Sequence, residues 1–280
     1  MTQKSLLIKS IFARSLKRGV YARGALVTAA IATSLVIIIS TQLNLAATLS
    51  PESQYFAQNQ LPPLKAHPLP STLASWQDRE HHGDYFEQIK TTPLGYLIWS
   101  EFPIKVYLET HLTHRNSTAE RVRFEQWVKT VQQAVAEWTI YLPLLEVKNP
   151  QLADIIIKRS QPSREFKLNR ATGQYDIPRA STAQTNYKFY LKPANPAILS
   201  HRMTIEISPH LSELSTLAAT RHELGHALGI WGHSNQETDA LYFSQVKNPT
   251  GISARDLNTL KKIYQQPTKL GWSIILDSQS

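Results

Sequence analysis

The chain contains no cysteine, which excludes disulfides, thiolate-held zinc, iron–sulfur clusters and a thiol nucleophile. Methionine is nearly absent too, with only Met1 and Met203. Ten glycines in 280 residues, with no internal repeat, exclude a collagen-like or repeat architecture. Acidic residues are missing from residues 1–24, which hold Lys4, Lys9, Arg14, Lys17, Arg18 and Arg23. Those six account for most of the formal net charge of +9 and leave +3 for the rest of the chain. The basic excess is therefore an N-terminal feature, and no nucleic-acid partner is expected from it. What the chain does have is 42% hydrophobic residues, enough for a sizeable core.

The N-terminus reads as a targeting segment. Residues 1–24 form a basic cytoplasmic flank, and Ala25–Ile39 follows with fifteen residues and no charge. A full membrane span needs about 20 apolar residues, so residues 25–47 fit either a cleaved export signal or a retained signal-anchor. In both cases the basic side stays in the cytoplasm and the remainder is expected to be extracytoplasmic, periplasmic or secreted. If the segment is retained, the membrane becomes a partner. Residues 48–84, with Pro51, Pro62, Pro63, Pro68 and Pro70, read as an extended linker. The folded domain is expected over residues 85–270, with a tail at 271–280.

Within the domain, Pro103–Leu108 alternates as a half-buried strand does. Ser117 and Glu120 form a Ser-x-x-Glu capping box. Behind it, Phe124, Trp127, Val128, Val131, Ala134, Val135, Trp138 and Tyr141 recur at helical spacing and end near Pro143. Ala153–Ile157 reads as a central strand, and Thr185–Leu191 and Met203–Ser208 as two more, with a Pro193–Pro196 loop between them. A helix is expected from Leu211 to Leu228 and another over Asp256–Tyr264. This order of elements predicts an α+β fold.

The chemistry concentrates in His222-Glu223-Leu224-Gly225-His226-Ala227-Leu228-Gly229-Ile230-Trp231-Gly232-His233-Ser234. Residues four apart on a helix lie about 40° apart in azimuth, so His222 and His226 can offer two imidazole nitrogens to one metal ion. Glu223 sits roughly 100° further round, within reach of a water on that metal. Gly229 suits a helix stop, after which the chain can turn back and present His233. Three neutral nitrogens with a water compose an open catalytic Zn2+ site. Glu223 is then the general base and catalytic residue, and His222, His226 and His233 the metal ligands.

The segment resembles the zinc signature of the metzincin metallopeptidases, matrixin-like branch, and the likeness runs over roughly residues 86–265. His233-Ser234 matches the His-Ser that ends that signature. Six residues separate Ser234 from Leu241, the spacing at which the family carries the Met of its Met-turn, and Tyr242 matches the Tyr that often follows. The resemblance implies a twisted mixed sheet bearing a long helix and an active-site helix, and a small C-terminal subdomain ending in a helix. It also implies a structural role for Gly229, Leu241, Tyr242 and Asp256 around the site, and a zinc-dependent endopeptidase acting on protein or peptide substrates. Two features depart from the family pattern. Three residues rather than two separate Gly229 from His233, which Gly232 is expected to absorb through a positive φ, and Leu241 replaces the Met. These departures motivate the alternative of a catalytically inactive module that retains metal and peptide binding.

Other candidates read more blandly. His111 with His114, and His81 with His82, suggest solvated loop or linker. His67 lies in the Pro-rich stretch, and His201 and His210 suit surface or capping positions. Asp239, and less so Glu237, are substitutes should His233 fail as a ligand. Trp99, Trp127 and Trp138 fit core positions. Thr185–Leu191 is the expected edge strand for an extended substrate.

Overall fold

A computed structural model describes residues 61–110, 117–163, 167–169, 174–176 and 181–274. The N-terminal basic and apolar segments, and His111 and His114, lie outside the described residues. Among those described, no helix is long and apolar enough to cross a membrane.

The chain is α+β, built on a mostly parallel five-stranded sheet of order β2-β1-β3-β7-β6. β1 (Ile104–Leu108) pairs in parallel with β2 (Leu144–Glu146) and with β3 (Ile155–Lys158). β3 in turn pairs in parallel with β7 (Ile198–Ile207). β6 (Ala183–Lys192) runs antiparallel to β7 and closes one edge. The consecutive isoleucines of β3 are those of a strand with neighbours on both sides. On β7 every second residue is buried, namely Leu199, His201, Met203, Ile205 and Ile207. A short hairpin of β4 (Lys167–Asn169) and β5 (Gln174–Asp176) was not expected from the sequence.

Among the described residues four helices accompany the sheet: α1 (Ser71–Ser75), α2 (Thr118–Thr139), α3 (Glu213–Ala227) and α4 (Ala254–Tyr264). The capping box of α2 is formed, and its buried face holds Phe124, Trp127, Val131, Ala134 and Trp138. α2 lies against α3. The Trp138 indole donates to the Arg221 carbonyl at 3.0 Å, and the Arg221 guanidinium forks onto Glu137, with Nη2 2.8 Å from Oε1. α3 begins where the Ser212 hydroxyl caps the Ser215 amide, and it packs on β6 and β7. α4 starts at a second capping box, Ser253 with Asp256.

The linker reading of residues 48–84 fails over 61–84, because that stretch is part of the folded unit. Lys65 exchanges backbone hydrogen bonds with Thr268 at 3.2 and 3.1 Å. The His67 ring stacks on Trp272 at 4.1 Å, Leu73 is fully buried, and the Trp76 indole donates to Asn258 at 3.0 Å. Prolines keep this chain extended, yet the apolar side chains among them, Leu69, Leu73 and Trp76, lie against the core. The tail reading of 271–280 fails for 271–274 likewise. Leu199 donates to the Trp272 carbonyl at 3.0 Å, and Ile274 is buried.

This strap is expected to carry stability. Leu73→Ala should cost about 2–5 kcal/mol, the range for truncating a buried Leu, and lower the thermal midpoint accordingly. Unchanged unfolding by circular dichroism would mean that residues 61–84 do not belong to the core.

Candidate metal centre

α3 carries His222, Glu223 and His226 in its last two turns. It ends at Ala227, where Gly229 takes φ 127°, with the Leu97 carbonyl only 2.7 Å from where a Cβ would stand. The terminal carbonyls of a helix need outside donors. Trp99 Nε1 supplies one to Ala227 at 2.9 Å, and the Tyr264 hydroxyl one to Leu228 at 3.0 Å. Trp99 therefore does more than fill the core.

Beyond Gly229 the chain folds back under the helix, and the Ile230 amide donates to the Gly225 carbonyl at 3.0 Å. The expected positive φ at Gly232 is not found. Glycine is required there for another reason: a Cβ would stand 2.3 Å from the Gln88 carbonyl oxygen. Residues 88–90 run alongside, with the Lys90 amide donating to the Trp231 carbonyl at 3.0 Å. The stretch from Gly229 to His233 is thus packed closely against residues 88–90.

The result is a cluster in which His222, His226 and His233 each bring a ligand nitrogen within 4.8 Å of the others, close enough to hold one metal ion. Among the described residues it is the only such group of three or more His, Asp or Glu side chains. His226 Nδ1 lies 2.7 Å from the Ile230 carbonyl, and His222 Nδ1 lies 2.9 Å from the Ala240 carbonyl. A carbonyl only accepts, so each Nδ1 carries the hydrogen and each neutral ring leaves a lone pair on Nε2. Those two Nε2 atoms stand 3.1 Å apart. Two lone pairs at that separation, with no proton between them, suit a shared cation, and the carbonyls behind the rings are the outer partners that metal-binding imidazoles use. Burial pushes the His226 imidazole down to about 3 and the His222 imidazole down to about 4, keeping both neutral. His233 is more exposed, and its imidazole is lowered by partial burial and by the Lys90 charge.

Glu223 lines the same cavity as the three histidines and reaches β6. Thr185 Oγ1 stands 2.6 Å from Glu223 Oε2 and 3.0 Å from the Glu223 main-chain oxygen. Burial lifts the carboxyl to about 7 and the Thr185 hydrogen bond opposes that lift. Neither Thr185 nor Lys90 was identified as a site residue from sequence. Both lie far from the motif along the chain, and only the pairing of β6 and the path of the strap bring them in.

Leu241 is fully buried under α3, and its Cδ2 lies 2.4 Å from where a Gly225 Cβ would be. Asp256 holds this turn: it accepts from the Ala240 amide at 2.9 Å, the Leu241 amide at 3.4 Å, the Ser253 amide at 2.8 Å and the Tyr85 hydroxyl at 2.5 Å. Burial raises the Asp256 carboxyl, and those donors work against it. Tyr242 is half-buried beside Phe243, with ring centroids 4.6 Å apart. Asp239 is buried and bound to Ser234, to Ser253 at 2.7 Å and to Arg255 at 3.0 Å, so its carboxylate is already committed. Glu237 is exposed. A cavity of about 610 Å³ opens over the cluster, walled by Thr185 on β6, Leu214 and Ala218 on α3, and Phe243 and Val246 beyond the turn.

The remaining histidines fall elsewhere. His82 pairs with Asp78 at 2.8 Å, and His210 is exposed. His201 is not a surface residue: it is 1% exposed, stacked on Trp99 at 3.9 Å, because its position on β7 faces the core. Its Nε2 has no hydrogen-bond partner among the described residues.

No family model matches this chain, and no curated protein matches it.

Two outcomes are expected. One equivalent of a divalent metal ion should bind by calorimetry. His222→Ala or His226→Ala should abolish binding, and His233→Ala should weaken it by on the order of 100-fold; unchanged affinity in the last would remove His233 from the ligand set. Separately, burial pushes His201 down to about 3, well below its unfolded value near 6.5. Between these values the unfolded chain binds the extra proton, so stability falls as pH drops from about 6.5 toward 3. His201→Leu should flatten that slope by up to about 1.4 kcal/mol per pH unit, read from urea midpoints across pH 4–7.

Proposed function

We propose that the chain is a zinc-dependent endopeptidase of the metzincin type, matrixin-like, acting on protein or peptide substrates outside the cytoplasm. The observation that carries this reading is the pair of imidazoles whose Nδ1 atoms are bound behind by Ala240 and Ile230 and whose Nε2 atoms meet, with His233 beside them and Glu223 next in sequence. The donor set fits zinc: three neutral nitrogens, no thiolate and no carboxylate among the ligands. When bound, zinc supplies a Lewis acid that polarises a carbonyl and lowers the pKa of its water toward about 7.

His222, His226 and His233 would hold the ion. Glu223 takes the proton of the attacking water on a carboxylate oxygen and passes it to the amine nitrogen as the C–N bond breaks. A carboxyl lifted by burial is a better base near neutral pH than an exposed one, although a neighbouring cation draws it back down. β6 lies beside the cluster as an edge strand, and no strand pairs with its outer side among the described residues. An extended substrate can add there through main-chain hydrogen bonds. Residues 25–47 would direct export and, if retained, tether the enzyme to the membrane.

Glu223→Gln should bind zinc as wild type does and lose about 10²- to 10⁴-fold in kcat on casein or an unstructured peptide. Full activity in that variant overturns the mechanism. Stoichiometric zinc in wild type without cleavage of several unfolded substrates would instead favour a metal-retaining binding module.

A further inference from the structure

The Glu223 side chain is not left to find its own orientation. Its Oε2 lies 2.6 Å from the hydroxyl of Thr185, a separation typical of an O–H group donating to a carboxylate. Both residues are largely buried in the cavity wall, so removing the hydroxyl takes from Oε2 its protein partner. Among the described residues no donor reaches Oε1. Thr185 thus occupies one carboxylate oxygen and leaves the other available. The same hydroxyl has a second acceptor in reach, the Glu223 main-chain oxygen at 3.0 Å. It has one hydrogen, which can point to Oε2 while the carboxylate is bare. A proton taken up on Oε1 leaves the bond from Thr185 to Oε2 in place. Thr185 can therefore stay bonded to Glu223 without movement of a heavy atom.

We propose that Thr185 is the positioning residue for Glu223, pinning Oε2 from strand β6 so that Oε1 faces the reacting groups. The inference rests on the peptidase reading above. It also gives β6 a second role, because the strand that offers its outer edge to an extended substrate holds the base through a side chain that points inward. Strand and base are thereby fixed in one frame, and a shift of the strand would be felt at the carboxylate.

The test compares wild type, Thr185→Val, which keeps the shape and removes the hydroxyl, and Thr185→Ser, which restores it. All are loaded with zinc and checked for metal content and thermal unfolding. On a peptide cleaved by wild type, Thr185→Val should lose about tenfold to a hundredfold in kcat with KM within about twofold, and Thr185→Ser should recover most of it. The second readout needs no turnover. The Glu223 carboxyl band, isolated as the wild-type minus Glu223→Gln infrared difference, should shift in Thr185→Val and hold its position in Thr185→Ser. Unreduced kcat in Thr185→Val, failure of Thr185→Ser to recover activity, or an unmoved band overturns this inference and leaves the peptidase reading standing. Wild type that binds zinc and cleaves nothing overturns that reading, and the positioning role with it, before any variant is read.

Discussion

Everything at this site depends on two main-chain carbonyls. Ala240 and Ile230 each accept from the Nδ1 of a histidine on α3, and that fixes both the tautomer and the direction of the rings. Without them the imidazoles could rotate, and either nitrogen could hold the proton. With them, two Nε2 lone pairs are driven to within 3.1 Å of each other, an arrangement that neutral histidines tolerate poorly and a cation relieves. The histidine cluster is in this sense built from behind, by backbone carbonyls outside it.

Those carbonyls are held by structure well away from the helix. Ala240 is fixed because Asp256, at the start of α4, accepts from its amide and from that of Leu241, while the hydroxyl of Tyr85 closes the same carboxylate. Leu241 then fills the space beneath Gly225 and keeps the turn at contact distance from α3. Ile230 is fixed by the helix stop at Gly229, whose loose carbonyls are taken up by Trp99 and Tyr264. Tyr85 and Trp99 join the site to the segment before β1, and Asp256 and Tyr264 join it to α4. The segment before β1 is therefore part of the cluster's scaffold, and Gln88 and Lys90 pass closely along Gly232 and Trp231.

Burial sets the electrostatic character of the cavity floor. Two imidazoles are kept neutral by desolvation, and a carboxyl beside them is lifted toward neutrality by the same cause. Groups arranged in this way destabilise the fold in the absence of a ligand, a recurring cost of functional sites. His201 shows the cost without the benefit. It is an imidazole in the core, stacked on Trp99, whose Nε2 finds no partner among the described residues.

The sequence by itself determined which residues could form the cluster. A helical repeat of four places His222 and His226 on one face, and a glycine after the helix allows a return toward His233; both follow from local geometry. The capping boxes of α2 and α4 and the strands around Ile155, Tyr187 and Met203 were legible for the same reason, because period and caps are properties of short segments. What the sequence could not supply was every contact made across the chain. Residues 61–84 read as a linker because prolines and sparse apolar residues carry no periodicity, and it was Thr268, Asn258 and Trp272 that drew them in. Gly232 read as a conformational device, and it was the Gln88 carbonyl that made it a matter of space. His201 read as a surface residue until the register of β7 turned it inward, and Thr185 read only as part of a strand until that strand was laid against α3. Tertiary structure alone decided these, because distance in space between residues far apart in the chain depends on how the elements pack and is written in no single segment.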